Sequence, residues 1–192
     1  MCAIRSSFLL LGSLLMMAAI PASAGEAPAD ALSQLPAHIA LDQRFHVSAQ
    51  PSAEALVKLP AAGVRTVINL RPPAETPDLD EKEVVEKAGM KYLSLPIAGA
   101  AGLTRENVAA FDRAMAGADE GKVLMHCASG NRVGAMMALR ARWIQGKTAD
   151  EALAIGKGSG LKGLEGDVRS LLQADAPQAD VVSAPSAYRP QN

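Results

Sequence analysis

Apolar residues in this chain fall into short runs separated by stretches of helical spacing, and the two patterns alternate from about residue 45 to residue 172. The clearest run, VRTVINL at 64–70, follows Gly63, is rich in β-branched residues and is broken by Arg71, Pro72 and Pro73, the signature of a strand. Residues 45–49, 91–96 and 122–126 are shorter strand candidates. Between them, Pro51 and Ser52 open a short helix that ends near Pro60. Asp78 and Asp80 place negative charge at the start of a helix running to Ala88, and Gly89 stops it. Thr104 caps a helix that carries Val108, Phe111 and Met115 on one face and ends at Gly117. A further helix runs from Val133 to Gln145 with Met136, Met137, Leu139 and Trp143 as its core face. Thr148 with Glu151 forms a capping box for the next helix, and a last one covers about 164–172. Strands alternating with helices predict an α/β layer rather than a bundle or a sandwich.

The ends of the chain read differently. Residues 1–24 combine Arg5, an apolar run from Phe8 to Ile20 and small residues at Ala22 and Ala24, the pattern of a cleaved secretory signal peptide. The apolar run is shorter than the ~20 residues a spanning helix needs, so no membrane association is expected after cleavage. A periplasmic or secreted protein follows. Residues 25–40 read as a flexible segment, 41–174 as a single catalytic domain, and 175–192, rich in Ala, Pro, Gln and Ser, as a disordered tail.

Composition changes this picture in two ways. Of 192 residues 49% are hydrophobic and 20% charged, enough for one ordinary core, and a net charge of −1 leaves no electrostatic footprint for nucleic acid. Any recognition of an anion must therefore be local. Cys2 leaves with the signal, so Cys127 is the only cysteine of the mature chain. A lone thiol in an oxidising compartment closes no internal disulfide and needs another reason to be present. His38 and His46 have no partner at metal-ligand spacing, and neither a metal nor a cofactor is expected.

That reason lies in VLMHCASGNRVG, where an apolar strand runs into a loop and then a helix. In α/β sheets, ligands bind outside the carboxyl ends of the strands, which is where this loop falls. Backbone N–H groups of Ala128, Ser129, Gly130, Asn131 and Arg132 can converge there on an anion, in front of the positive end of the following helix. Gly130 allows the loop a positive φ, and Arg132 offers a planar fork for two oxygens of a phosphate or sulfate. The same field favours a thiolate at Cys127. Arg71, at the end of the strongest strand, is either a neighbour of this mouth or a solvated strand end. GSGLKG at 158–163 has dinucleotide-fingerprint spacing but no preceding strand, and reads as a loop.

HCASGNRVG resembles the signature loop of cysteine-dependent protein tyrosine and dual-specificity phosphatases. Together with GVRTVINLRPPAE and AGMKYLSLPI, taken in order, it resembles the phosphatase-like domain of β-lactamase-hydrolase-like proteins over about 45–172. The resemblance implies a parallel sheet of about four or five strands flanked by helices. It also implies that Cys127 is a nucleophile forming a phosphocysteine, that Arg132 holds phosphoryl oxygens and that His126 supports the loop. The substrate would be a small phosphorylated molecule or a phosphoprotein.

Three features depart from the common phosphatase pattern. Only four residues separate Cys127 from Arg132, where five are usual; Val133 stands where a Ser or Thr usually follows the arginine; and AGAAGL at 98–103, the usual place of an aspartic general acid, has no carboxylate. Glu75 and Asp78 are the substitutes the sequence offers. The four-residue spacing also resembles rhodanese sulfurtransferases, in which the cysteine carries a persulfide from a sulfur donor. A non-catalytic anion-binding module is a third reading.

Overall fold

The computed structural model describes residues 30–174. The expected signal peptide at 1–24 and tail at 175–192 lie outside the described residues. Five strands, β1 (Ile39–Ala40), β2 (Phe45–Ser48), β3 (Val64–Asn69), β4 (Lys91–Ser94) and β5 (Lys122–His126), form one sheet in the order β1-β2-β5-β3-β4. Only β1 runs antiparallel to its neighbour. Among the described residues seven α-helices accompany them: α1 (Asp30–Ser33), α2 (Ala53–Lys58), α3 (Glu81–Lys87), α4 (Arg105–Ala116), α5 (Asn131–Trp143), α6 (Ala149–Gly158) and α7 (Glu165–Ala174).

The expected caps form where polar side chains stand ready to accept. Ser52, Asp80 and Thr104 accept from Ala55, Glu83 and Asn107 backbone N–H, and Thr148 and Glu151 complete a reciprocal capping box. Helix α5 differs. It starts from Gly130, which has no side chain to offer its first N–H groups.

Helices cover both faces of the sheet, as a parallel sheet requires. Val47, Ile68, Val123 and Met125 pack with Val108 and Phe111 of α4, Met136 and Leu139 of α5, and Val168 of α7. Val64, Val67 and Leu124 turn the other way, onto Leu32, Leu35, Leu56, Leu59 and Val85. The pleat of β5 sorts its residues strictly: Val123, Met125 and Cys127 belong to the first core and Leu124 to the second. His126 consequently faces the side of α1–α3.

Residues 25–40 were expected to be a flexible segment, and from Asp30 onward the structure corrects this. Leu32 and Leu35 are buried and β1 pairs with β2, so two buried leucines and a short strand pairing hold this alanine-rich stretch. β1 also brings His38 against His46, with rings stacked at 5.3 Å between centroids and His38 Nε2 3.1 Å from His46 Nδ1. Burial holds both imidazoles below the ordinary histidine range, aided by the charge of Lys122.

Register fixes where the site can be. Ser48 pairs with His126, His126 with Asn69, and Asn69 with Ser94, so the four parallel strands end level. The segments leaving those ends carry Gln50, Arg71 with Glu75, Ile97 and Cys127.

Candidate active site

Cys127 follows β5 directly and is 1% exposed, enclosed by the core of α4–α7. Behind it, Gly130 adopts the expected left-handed conformation, φ 83°, and its carbonyl receives Gly134 N–H as the first turn of α5 forms. Asn131, Arg132 and Val133 open the helix, where backbone N–H groups have no intrahelical acceptor and the helix dipole is positive. The side chain of Asn131 points away from this mouth. Its Oδ1 accepts from Lys162 N–H at 2.7 Å and Leu164 N–H at 3.3 Å, tying the connection between α6 and α7 to the loop.

Arg132 is held by groups far from it in sequence. Its NH1 donates to Glu75 Oε1 at 2.9 Å and to the carbonyl of Ile97 at 3.1 Å, and its NH2 donates to Glu75 Oε2 at 2.6 Å. Burial would lower its pKa, but the hydrogen bond to Glu75 and the charges of Cys127 and Glu75 raise it above the ordinary arginine value. Arg132 is therefore a permanent cation beside the thiol.

Arg71, which the sequence left undecided, joins this cluster. Its Nε donates to Glu75 Oε2 at 3.2 Å and its NH1 to Gln50 Oε1 at 2.6 Å. Glu75 thus bridges two guanidinium groups, and the hydrogen bond from Arg132 leads in holding its carboxyl below the usual range. Asp78 is exposed and takes no part in this network.

His126 is fully buried, and its Nε2 lies 2.6 Å from Oε1 of Glu81, itself 3% exposed at the start of α3. Glu81 Oε2 accepts from Gln50 Nε2 at 2.9 Å and from Asn69 Nδ2 at 3.2 Å, and Asn69 also donates to the Tyr92 hydroxyl. A continuous relay results: His126, Glu81, Gln50, Arg71, Glu75, Arg132. It joins the residue before the cysteine to the arginine that closes the loop. Sequence reasoning missed Gln50 and Glu81. Glu81 reads as a charge complementing a helix dipole, and Gln50 as a loop residue before a proline, so neither carries a local signal of the pairing.

A nucleophile-sized thiol, a fixed guanidinium and an open helix N-terminus thus meet at the carboxyl end of a parallel sheet. The profile of the phosphatase-like domain of β-lactamase hydrolase-like proteins matches residues 37–142, which contain β1–β5 and the whole loop. The chain belongs to this family. A β-lactamase hydrolase-like protein from Xylella fastidiosa (strain Temecula1 / ATCC 700964) is 34% identical over 125 residues, covering 62% of this chain and 28% of that protein. One from Agrobacterium fabrum (strain C58 / ATCC 33970) is 34% identical over 98 residues, covering 49% and 22%. The chain thus spans about a quarter of the length of these relatives. Among solved structures, a candidate phosphatase from Shewanella putrefaciens CN-32 superposes with a TM-score of 0.57 at 25% identity, covering 76% of this chain and 92% of that one. Tk-PTP in its active form superposes with a TM-score of 0.53 at 23% identity, covering 73% and 98%, and shows the shared fold. This phosphatase-like family and its protein tyrosine phosphatase-like fold support a phosphatase-type activity for the chain.

Proposed function

We propose that this chain is an exported cysteine-dependent phosphatase in which the thiolate of Cys127 attacks a phosphomonoester and passes through a phosphocysteine. The observation that carries the reading is the placement of Arg132: a guanidinium fixed by Glu75 and Ile97 beside the single thiol of the described residues, at the open end of α5. A phosphoryl group seated there meets the guanidinium and the N–H groups of residues 128–132, which stabilise the charge of a transferring phosphoryl. Ser129 and Gly130 shape the turn, and His126, locked on Glu81, fixes the strand end from which Cys127 emerges. The substrate is a small phosphorylated molecule or a phosphoprotein side chain. Residues 1–24 supply the export signal in this reading.

The test is phosphate release from a chromogenic phosphomonoester by the native chain and by Cys127→Ser, with intact mass after acid quench. Release lost in Cys127→Ser, with trapped phosphate on the native chain, is the expected result. Gain of one sulfur from thiosulfate without phosphate release overturns it in favour of a sulfurtransferase. Phosphate binding without turnover of either substrate overturns it in favour of a binding module.

A further inference from the structure

A phosphomonoester releases its alcohol as an oxyanion unless a proton reaches the departing oxygen, and a positioned acid is worth ~10²–10⁴-fold in rate. The segment 98–103, which approaches the site after β4, holds the short 3-10 turn Gly99–Gly102 and carries no carboxylate. The carboxylate that the fold brings to Arg132 is Glu75. Both of its oxygens are engaged by cations: Oε1 by Arg132, and Oε2 by Arg132 and Arg71 together. Two guanidinium groups on one carboxylate stabilise the ionised form, whereas a general acid must hold its proton at working pH. Glu81 is buried, with its two oxygens occupied by His126, Gln50 and Asn69, so it does not reach the mouth.

Glu75 instead accounts for the attitude of Arg132. The two N–H groups of NH1 meet two acceptors, Glu75 and the Ile97 carbonyl, and NH2 gives one N–H to Glu75. The Nε–H and the second N–H of NH2 remain, and together they form the other parallel fork of a guanidinium. Cys127 lies near enough for its charge to act on Arg132, which places the thiol beside this guanidinium. Loss of the Glu75 clamp frees the guanidinium to swing.

Resting on the phosphatase reading, we propose that Glu75 is a positioning residue for Arg132 rather than the acid, and that the enzyme therefore takes phosphates with acidic leaving groups, aryl and acyl phosphates, in preference to alkyl phosphates. In the first step the Sγ–P bond forms as the P–O bond to the leaving group breaks. The electron pair stays on that oxygen, which departs as aryloxide or carboxylate and is protonated by bulk water as its own basicity requires. Water then attacks phosphorus, the S–P bond breaks, the thiolate returns, and the protons of that water remain with inorganic phosphate and solvent.

The experiment is kcat/KM for a series of aryl phosphates with progressively less acidic phenols, an acyl phosphate and an alkyl phosphate, using the native chain and Glu75→Gln. The expected result is a steady fall in rate as the phenol becomes less acidic, near-absent alkyl phosphate hydrolysis, and the same slope in Glu75→Gln. In a Cys127→Ser background, Glu75→Gln should also weaken inorganic phosphate binding by about 10-fold to 100-fold, the cost of a misplaced binding group, with a cooperative thermal transition retained in the absence of phosphate. A flat series that becomes steep in Glu75→Gln makes Glu75 the acid and overturns this proposal alone. Unchanged phosphate affinity in Glu75→Gln overturns the positioning role. No release from any member, with phosphate still bound, overturns the phosphatase reading and this proposal with it.

Discussion

Glu75 and Glu81 are both carboxylates of the same relay, yet their surroundings give them opposite energetics. Glu75 stands at the mouth, 36% exposed at its side chain, and two guanidinium groups depress its pKa. A carboxyl depressed in the folded state stabilises it fully above the unfolded pKa and loses that contribution as pH falls through the folded value. The stability difference between the native chain and Glu75→Gln should therefore stay constant from neutral pH down to the ordinary carboxylate range, then decline and vanish in stronger acid. Urea unfolding at a series of pH values checks this; parallel curves down to the lowest pH would remove the pair as a contributor. Glu81 is buried against a buried histidine, and removing one partner of such a pair leaves the other polar and unpaired. Glu81→Ala should cost about 3 kcal/mol, while Glu81→Gln, which keeps a polar partner for His126, should cost less. Equal urea midpoints for Glu81→Ala and the native chain would refute this.

Helix α5 connects the site to the core, and its packing depends on two glycines for different reasons. Gly130 supplies the left-handed turn that starts it. Gly134 lies so close to the α6–α7 connection that a Cβ there would sit 2.1 Å from Leu161 N and 2.8 Å from the Gly156 carbonyl. Backbone cannot yield as a flexible side chain can, so Gly134→Ala should part α5 from α6. The expected loss is about 3 kcal/mol, at the upper end of overpacking costs, read as a lower thermal midpoint. A midpoint within a degree or two of native would mean that the helices shift apart freely. Such close approaches leave no trace in hydrophobic periodicity, which placed a helix at 133–145, two residues beyond the observed Asn131–Trp143, and says nothing of what it touches. The elements themselves were legible: β5 occupies the expected residues 122–126, and Thr148 and Glu151 form the expected box, because both signals are local. The boundaries that moved, as where β4 ends at Ser94 rather than at Pro96, are set by pairing with β3.

At the scale of the whole molecule, legibility divides by range. The loop from Cys127 to Arg132 was readable because its residues are contiguous, whereas the relay through Gln50, Arg71, Glu75 and Glu81 is assembled at the level ends of three strands, β2, β3 and β5. Only the sheet order brings those segments together. Ligand binding should accordingly report on the whole assembly. Anything that binds only the folded state stabilises it, by about 2.7 kcal/mol at 100 times Kd. For a domain of this size that is a rise in thermal midpoint of roughly 5–10 °C. Inorganic phosphate should produce such a rise in the native chain and equally in Cys127→Ser, because the proposed seat is built from Arg132 and backbone N–H groups rather than from the thiol. Arg132→Ala should abolish it. Gln50→Ala, which cuts the relay between Arg71 and Glu81 without touching the seat, should reduce the rise only in part. A full rise in Arg132→Ala would place the anion elsewhere on the molecule, and an undiminished rise in Gln50→Ala would mean that the seat holds its shape without the relay.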